Sequence, residues 1–334
     1  MEDAYEEKRF HSEREGWDYK PEPRQILFED YVKDWSTEIL EKFPSDGKKR
    51  DFRQVLDDWL LPHFGNLTFY QITGVELQKF LSTLRWREGQ KKGERLSRSR
   101  VRNILIPMRA IWADACDEHH WDIPDPFRFL GKHMPKGSSK HPEVFRFDEL
   151  MQLLSQMDPF YKGITEIMVM TGMIGSEIAG LRKEDIEGDF LHIRNSIVRK
   201  HEKTDLKTDL RKRKLPITVA LRDRLNAVLS LSDNNYVFRM KSGVIFDVDS
   251  FRKNPWTTAF RNANLEYKVP YATRHTFAAW ALTLGTDPNK LVKLMGHSSK
   301  KMVYEVYGNY VEGLEEDAGK ILEYFGKDFG GLKK

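Results

Sequence analysis

Cysteine is nearly absent from this chain of 334 residues, and the single one, Cys116, cannot form a disulfide within the chain. One cysteine also excludes a zinc site built from several thiolates, and a lone thiol is most simply a small buried hydrophobe. Long apolar runs are scarce too, since residues 164–181 are interrupted by Glu166 and Glu177 and are too polar to span a bilayer. Because the first ten residues are polar and acidic, we predict no signal peptide and a soluble, cytoplasmic protein.

Net charge is also small, because 55 Lys and Arg residues offset 51 Asp and Glu residues to leave +4. The total hides two basic segments. Residues 85–102 carry Arg85, Arg87, Lys91, Lys92, Arg95, Arg98, Arg100 and Arg102, and residues 196–216 carry Arg199, Lys200, Lys203, Lys207, Arg211, Lys212, Arg213 and Lys214. Two such segments suit a clamp around a nucleic acid, since neutralised phosphates release counterions. The same charge also fits two solvated loops, so charge alone leaves both interpretations open.

The first third of the chain has the apolar spacing of a small all-helical domain. Residues 1–25 are charged and lack an apolar period, which predicts a tail or linker. Within residues 26–122, apolar side chains recur every three or four positions, which predicts helices at about 26–43, 49–61, 73–84 and 97–119. Pro107 falls within the last helix and predicts a kink or a split. Residues 123–144 are rich in proline and glycine, which predicts an interdomain linker.

Residues 145–330 combine helical spacing with one short strand pair. Strand patterns near 190–194 and 214–217 flank a charged hairpin. Helices are predicted at about 147–157, 160–172, 175–182, 219–231, 248–263, 271–285, 288–295, 299–306 and 313–325. The predicted fold class is therefore mainly α with a small antiparallel β-sheet, in a helical domain followed by a mixed α+β domain.

Four features of the second domain carry candidate chemistry, and each is weak alone. They are Tyr-Ala-Thr-Arg-His-Thr-Phe at 271–277, with Arg274 and His275 at the start of a helix; Leu-Met-Gly-His-Ser-Ser at 294–299, with His297; Tyr307, flanked by Tyr304 and Tyr310; and Lys207 in the charged hairpin. A lone helical tyrosine is usually a half-buried core residue, and a lone Gly-His after a helix is usually a C-cap. In this order, however, the lysine, the arginine box, the Gly-His box and the tyrosine together resemble the tyrosine recombinases, and more narrowly the phage-type integrases.

The resemblance covers about residues 26–325. It implies a helical core-binding domain of the SAM-like type over 26–122 and a tyrosine-recombinase catalytic domain over 145–330. It also implies that Tyr307 attacks a phosphodiester and leaves a 3′-phosphotyrosine and a free 5′-hydroxyl, a covalent step that stores the bond energy.

Other groups in the resemblance surround the phosphate and the leaving group. Arg274 would clamp the phosphate oxygens, His297 would add a hydrogen bond, and His275 belongs to the same candidate site. Lys207 would protonate the leaving 5′-oxygen as general acid. Lys203 is the rival candidate, because the sequence Lys-Thr-Asp-Leu occurs twice in succession.

Two positions depart from the family pattern. Tyr271 stands where the family has a histidine, and its phenol can still donate a hydrogen bond. Ile174 stands where the family has its first arginine, three places before Glu177, which would orient its neighbours. In other enzymes the loss of one oxyanion donor lowers the rate by about 10²–10³. Three explanations stay open: a basic residue such as Arg211 or Arg213 fills the gap, the protein is a slow recombinase, or it binds DNA without cleaving it.

The resemblance implies double-stranded DNA with inverted half-sites as the partner, strand exchange within a homotetramer, and accessory DNA-bending proteins, with no metal or other cofactor. The DNA contacts would come from Lys91, Lys92, Arg95, Arg98, Arg100, Arg102, Lys203, Arg211 and Arg213. The predicted helix at 313–325 would either dock on a neighbouring protomer or pack on its own domain. A site-specific DNA recombinase is the leading hypothesis, and an integrase-derived DNA-binding protein is the alternative. A type IB topoisomerase shares the chemistry but fits the N-terminal helical domain and C-terminal tail less well.

Overall fold

The fold, taken from a computed structural model, divides into two units, Met1–Ser139 and Lys140–Lys334. The structure describes residues 20–88, 91–137, 143–198, 201–203, 212–231, 235–296, 303, 307 and 313–329. Each unit has its own hydrophobic core. The two units are therefore described separately.

The regular elements in the described part of the first unit are helices. They are α1 (Phe28–Glu38), α2 (Asp46–Val55), α3 (Leu61–Phe64), α4 (Gly74–Thr83) and α5 (Arg98–His119). Hydroxyl side chains of Ser45, Thr73 and Ser97 accept a backbone N–H at the starts of α2, α4 and α5, which satisfies donors that have no partner inside the helix. A π-helical turn at Leu56–Leu60 joins α2 to α3, so these two form one of the four predicted helical segments.

α5 runs unbroken through Pro107, so of the two predicted alternatives, a kink or a split, the split is excluded. Ile104, Met108 and Ile111 on either side of it are buried in the core of the first unit. This packing holds the helix together although proline lacks the N–H for one hydrogen bond.

The segment after α5 differs from the linker predicted over 123–144. Phe127 and Leu130 are buried in the core of the first unit. The Asp125 carboxylate accepts the Phe127 N–H at 2.8 Å, and the guanidinium of Arg109 lies 4.4 Å from the centre of the Phe127 ring. The chain is therefore packed on the core of the first unit up to about Leu130, where a free linker is predicted from residue 123.

The second unit combines helices with two small antiparallel sheets. Its described helices are α6 (Phe147–Ser155), α7 (Pro159–Thr171), α8 (Gly175–Gly180), α9 (Val219–Leu229), α10 (Val248–Phe251), α11 (Thr257–Ala263), α12 (Ala272–Thr283), α13 (Pro288–Met295) and α14 (Ala318–Phe325). A π-helical turn at Arg252–Trp256 joins α10 to α11, where one helix is predicted. Of the helix predicted at 299–306, only Val303 lies within the described residues, and it is helical. Among the described residues, each helix is too short or too polar to span a bilayer.

The strands are β1 (Ile186–Glu187), β2 (Phe190–Ile193), β3 (Ser196–Val198), β4 (His201–Lys203) and β5 (Arg213–Pro216). β2 pairs antiparallel with both β1 and β5, and β3 pairs with β4. In the β2–β5 register, Leu191 lies opposite Leu215 and Ile193 lies opposite Arg213. The predicted strand pair and the predicted fold class, mainly α with a small antiparallel sheet, are confirmed.

The C-terminal helix α14 packs on its own unit. Ile321 and Phe325 are buried in the core of the second unit, and the Phe325 ring centre lies 4.7 Å from that of Phe329. Thr218 donates its hydroxyl hydrogen to the Phe325 carbonyl at 2.7 Å. Packing of α14 on its own unit is one of its two predicted arrangements.

Candidate active site

The chain turns sharply between α7 and α8 at Gly172. This residue has a φ of +63°, and a Cβ at this position would lie 2.5 Å from Cδ1 of Phe277. Glycine alone fits such a turn without strain and without a clash. The turn directs the Gly172 carbonyl at Arg274, whose Nη1 donates to it at 2.7 Å.

Arg274 lies in the first turn of α12 and is only 6% exposed. Its Nη2 donates to the Met295 carbonyl at the end of α13. Its Nε is buried and has no hydrogen-bond partner among the described residues. Leaving a buried donor unpaired costs about 1–3 kcal/mol. Two backbone carbonyls thus fix the guanidinium of Arg274, and its Nε–H has no partner among the described residues.

A buried ion pair between Glu177 and Arg213 lies next to this turn. Arg213 donates Nη1 to Oε1 at 2.7 Å and Nη2 to Oε2 at 2.9 Å, and both side chains are 4% exposed. Glu177 Oε2 also accepts the Ile174 N–H at 3.0 Å. Burial alone raises the pKa of Glu177, but the hydrogen bonds and positive charge of Arg213 outweigh it, so the pKa lies below its ordinary value.

The position of Arg213 differs from the surface DNA contact that its place in a basic segment predicts. The alternation of β5 explains the difference: Leu215 faces the core, and a residue two positions away lies on the same side of the strand. The guanidinium therefore points inward and brings a cation to the carboxylate that also holds the Ile174 amide. The spacing of two residues between Arg213 and Leu215, which places both side chains on the buried side of β5, was the sequence signal that could have identified Arg213 as the partner of Glu177.

Two arginines hold the end of α13, immediately before the Gly-His motif. Arg213 Nε donates to the Leu294 carbonyl at 2.7 Å, and Arg274 donates to the Met295 carbonyl. The last carbonyls of a helix lack partners within the helix and carry partial negative charge, so two cations stabilise them. Gly296 then ends the helix with a φ of +63°. The chain is thereby fixed up to the residue that precedes His297.

Tyr307 and His275 are joined by a hydrogen bond between their side chains. Tyr307 is helical and 1% exposed, and its Oη lies 2.8 Å from Nδ1 of His275 on α12. Burial and the nearby Tyr271 raise the pKa of Tyr307 well above its ordinary value, although Arg274 opposes them. Burial and the charge of Arg274 lower the pKa of His275 to about 4.

Tyr271 borders the same site from the solvent side. It is 46% exposed, and its ring centre lies 4.9 Å from that of His275 in an edge-on arrangement. It precedes α12, one turn before His275. The structure therefore gathers Glu177, Arg274, His275, Tyr271 and Tyr307 of the predicted residues in one unit.

The other predicted residues fall into two groups. His297, Lys207 and Arg211 lie outside the described residues, and Lys203 is described only by its backbone in β4. In the first unit, Lys91, Lys92, Arg95 and Arg102 are exposed, while Arg98 and Arg100 are partly buried around the start of α5. In the described part of the chain, no group of three or more His, Cys, Asp and Glu residues is placed to hold a metal ion.

We expect the Glu177–Arg213 pair to stabilise the second unit strongly. Arg213→Met leaves a buried unpaired carboxylate and is expected to lower the free energy of unfolding by about 3–5 kcal/mol, measured by urea unfolding of the full chain. A double variant, Glu177→Leu with Arg213→Met, should lose less than the two single variants combined. Because the pKa of Glu177 is lowered in the folded state, this stabilisation is present at neutral pH and is lost as the pH falls through that pKa.

The matched control is Arg252→Met, which breaks an exposed pair with Asp249. Such a pair is worth less than about 1 kcal/mol. If Arg213→Met cost no more than Arg252→Met, the pair would not stabilise the unit.

A second expectation concerns the titration of His275. In the DNA-free full chain its ring should titrate near pH 4, because burial and Arg274 disfavour the imidazolium. The folded pKa lies below the unfolded value of 6.5, so stability from the neutral ring is lost as the pH falls from about 6.5 to about 4. NMR of ¹³C-labelled histidine, assigned with His275→Gln, measures the pKa. A midpoint between pH 6 and 7 would contradict the buried, cation-facing environment.

Comparisons with known proteins indicate the family of this chain. A model of the phage integrase family matches residues 143–311, about half of the chain. The prophage integrase IntR of Escherichia coli strain K12 is 40% identical over 67 residues, which cover 20% of this chain but only 16% of that protein.

Solved structures share the fold at low identity. The Tn1549 transposon integrase, in complex with a circular intermediate DNA, has a TM-score of 0.71 at 17% identity and covers 83% of this chain and 93% of its own. A lambda integrase dimer bound to a core site has a TM-score of 0.67 at 12% identity and covers 85% of this chain and 78% of its own. Since the family match spans every residue of the site assembled above, this chain belongs to the phage integrase family.

Proposed function

We propose that this protein is a site-specific DNA recombinase that cleaves and rejoins DNA through Tyr307. The observation that carries the proposal is that the Tyr307 Oη lies 2.8 Å from Nδ1 of His275 and within the electrostatic influence of the buried guanidinium of Arg274, one residue earlier on α12. A nucleophile beside a proton acceptor and a phosphate-binding cation suits phosphoryl transfer to a side chain.

In the proposed step, a bond forms between Tyr307 Oη and phosphorus, and the bond between phosphorus and the 5′-oxygen breaks. The products are a 3′-phosphotyrosine and a 5′-oxygen that takes up one proton to become a hydroxyl. The guanidinium of Arg274 would bind the non-bridging oxygens as their charge rises. His297 would add a hydrogen bond, and Lys207, or Lys203 as its rival, would give the leaving oxygen its proton.

Double-stranded DNA is the proposed partner. The exposed cations Lys91, Lys92, Arg95 and Arg102 of the first unit support this, because exposed basic groups bind the phosphate backbone. The Tn1549 integrase structure contains DNA, and lambda integrase is described as a dimer on a core site and a tetramer on a Holliday junction. We propose the same mode for this chain, with inverted half-sites and a homotetramer.

A covalent trap tests the proposal. A duplex selected for binding from a randomised pool is nicked at successive positions, so that a short 5′-hydroxyl fragment diffuses away after cleavage and prevents rejoining. We expect the wild-type protein to form a DNA adduct that survives denaturing electrophoresis. If no nick position yields an adduct on long incubation with tightly bound duplex, the enzyme proposal fails.

A second candidate function, DNA binding without cleavage, is favoured by one observation. Ile174 caps the start of α8 through its backbone, and its side chain supplies no charge where the family has an arginine. An apolar group cannot stabilise a phosphate oxygen. The neighbouring Arg213 is engaged with Glu177 and Leu294.

Restoring the arginine distinguishes the two candidates. We expect Ile174→Arg to raise the rate of adduct formation by about 10²–10³, because it supplies a charged donor at the phosphate. Ile174→Leu is the matched control and should leave the rate unchanged. If wild type forms no adduct and Ile174→Arg does, the native protein binds without cleaving. An equal rate in wild type and Ile174→Arg would contradict the expected deficit at this position.

A further inference from the structure

The proton of Tyr307 must leave as Oη attacks phosphorus, and this chain lacks the family histidine at the first position of the arginine box. Tyr271 occupies that position. A phenol hydroxyl can donate a hydrogen bond, but unlike imidazole it has no basic nitrogen that can take up a proton. The acceptor must therefore be another group.

We propose that His275 is the general base of strand cleavage, accepting the Tyr307 proton on Nδ1. The inference rests on the proposed function, since it assigns a role within that reaction. Its basis is the 2.8 Å separation between Nδ1 and Oη, which lies within the range for direct proton transfer. Among the residues that the structure describes, His275 is the hydrogen-bond partner of Tyr307 Oη.

The surroundings of His275 keep its ring neutral. Arg274 precedes it on α12, Tyr271 lies edge-on against its ring, and Tyr307 faces Nδ1. Burial and, to a smaller extent, the positive charge of Arg274 disfavour the imidazolium, so the ring is a neutral acceptor near pH 7. The proposed transfer uses the tautomer in which Nδ1 accepts from Oη and the ring hydrogen lies on Nε2.

DNA binding would make His275 a stronger proton acceptor. A scissile phosphate on Arg274 would bring a negative charge beside His275, and an opposite charge favours the protonated ring. As the Oη–phosphorus bond forms, the proton passes from Oη to Nδ1, and the electron pair of the breaking bond moves to the 5′-oxygen. In the reverse reaction the imidazolium returns the proton to Tyr307, so no external reactant is consumed.

This role differs from protonation of the leaving group, and a sulfur-substituted substrate separates the two. A 5′-bridging phosphorothiolate has a thiolate leaving group that needs no proton. We expect His275→Ala to slow adduct formation at least about 10²-fold on ordinary nicked duplex and by the same factor on the phosphorothiolate. Lys207→Ala, by contrast, should regain its rate on the phosphorothiolate.

A more acidic nucleophile provides the complementary test. Replacing Tyr307 by a trifluorinated tyrosine lowers the pKa of the phenol and so reduces the need for a base. The defect of His275→Ala should then shrink by about tenfold or more. If His275→Ala folds less well, the wild-type protein with the same fluorotyrosine provides a second measurement. Its rate of adduct formation should fall less at low pH than that of the protein with ordinary tyrosine, because a more acidic phenol depends less on a base. His133→Ala, in the first unit, is the control for a histidine outside the site.

The outcomes distinguish the role of His275 as general base from the proposed DNA recombinase function on which that role rests. A wild-type protein that forms no adduct would overturn both. A His275→Ala protein that forms adduct at the wild-type rate would overturn only the role of His275. Rescue of His275→Ala by the phosphorothiolate would also overturn that role, because it would assign His275 to the leaving group.

Discussion

Tyr307→Phe is expected to abolish the covalent DNA adduct, with a loss of at least about 10⁴ in rate, as for removal of other enzymatic nucleophiles. The substitution deletes only Oη, the atom that lies 2.8 Å from His275. Without it, no bond to phosphorus can form, and the remaining groups have nothing to activate. Single-turnover adduct formation on the nicked duplex measures the loss.

The fold of Tyr307→Phe should remain intact, because the ring stays buried and one hydrogen bond is worth about 1 kcal/mol. DNA affinity should therefore match the wild type. Tyr304→Phe and Tyr310→Phe, which share the helical spacing of Tyr307, are the matched controls and should retain the adduct. Adduct formation by Tyr307→Phe at more than about one hundredth of the wild-type rate would contradict its role as nucleophile.

Arg274→Lys is expected to lower the rate of adduct formation by about 10³ although it preserves the charge. A lysine cannot donate to the Gly172 and Met295 carbonyls while also presenting a donor to the phosphate, as the planar guanidinium does. The comparison is made on the nicked duplex at saturating protein, so that binding does not limit the rate.

A substrate with a neutral methylphosphonate at the scissile position separates charge stabilisation from structural support. If Arg274 acts on phosphate charge, the defect of Arg274→Lys should shrink on this substrate, since less negative charge develops. An equal defect on both substrates would show that Arg274 acts only by holding α13 in place.

The sequence was sufficient to predict what local patterns determine. Apolar spacing predicted α1 and α5, and alternation predicted the β2–β5 pair. The order of the motifs predicted that Arg274 and Tyr307 would belong to one site, which the structure brings together through His275.

The remaining features depend on tertiary contacts. The Glu177–Arg213 pair joins α8 to β5. The charge of Arg213 suggested a position on the surface, but its side chain lies on the same buried side of β5 as that of Leu215. Phe127 packs into a core that its proline-rich surroundings did not predict. The carbonyls that hold Arg274 carry no side-chain signature, so no sequence pattern could identify them.

The identity of the DNA-linked residue is the most direct test of covalent catalysis by this protein. After nuclease and trypsin digestion of the trapped adduct, mass spectrometry of peptide 302–320 distinguishes Tyr304, Tyr307 and Tyr310 by fragmentation. We predict a nucleotide joined through its 3′-phosphate to Tyr307, together with a released strand that carries a free 5′-hydroxyl. A nucleotide on another residue, or a 5′-phosphate linkage, would contradict the proposed chemistry.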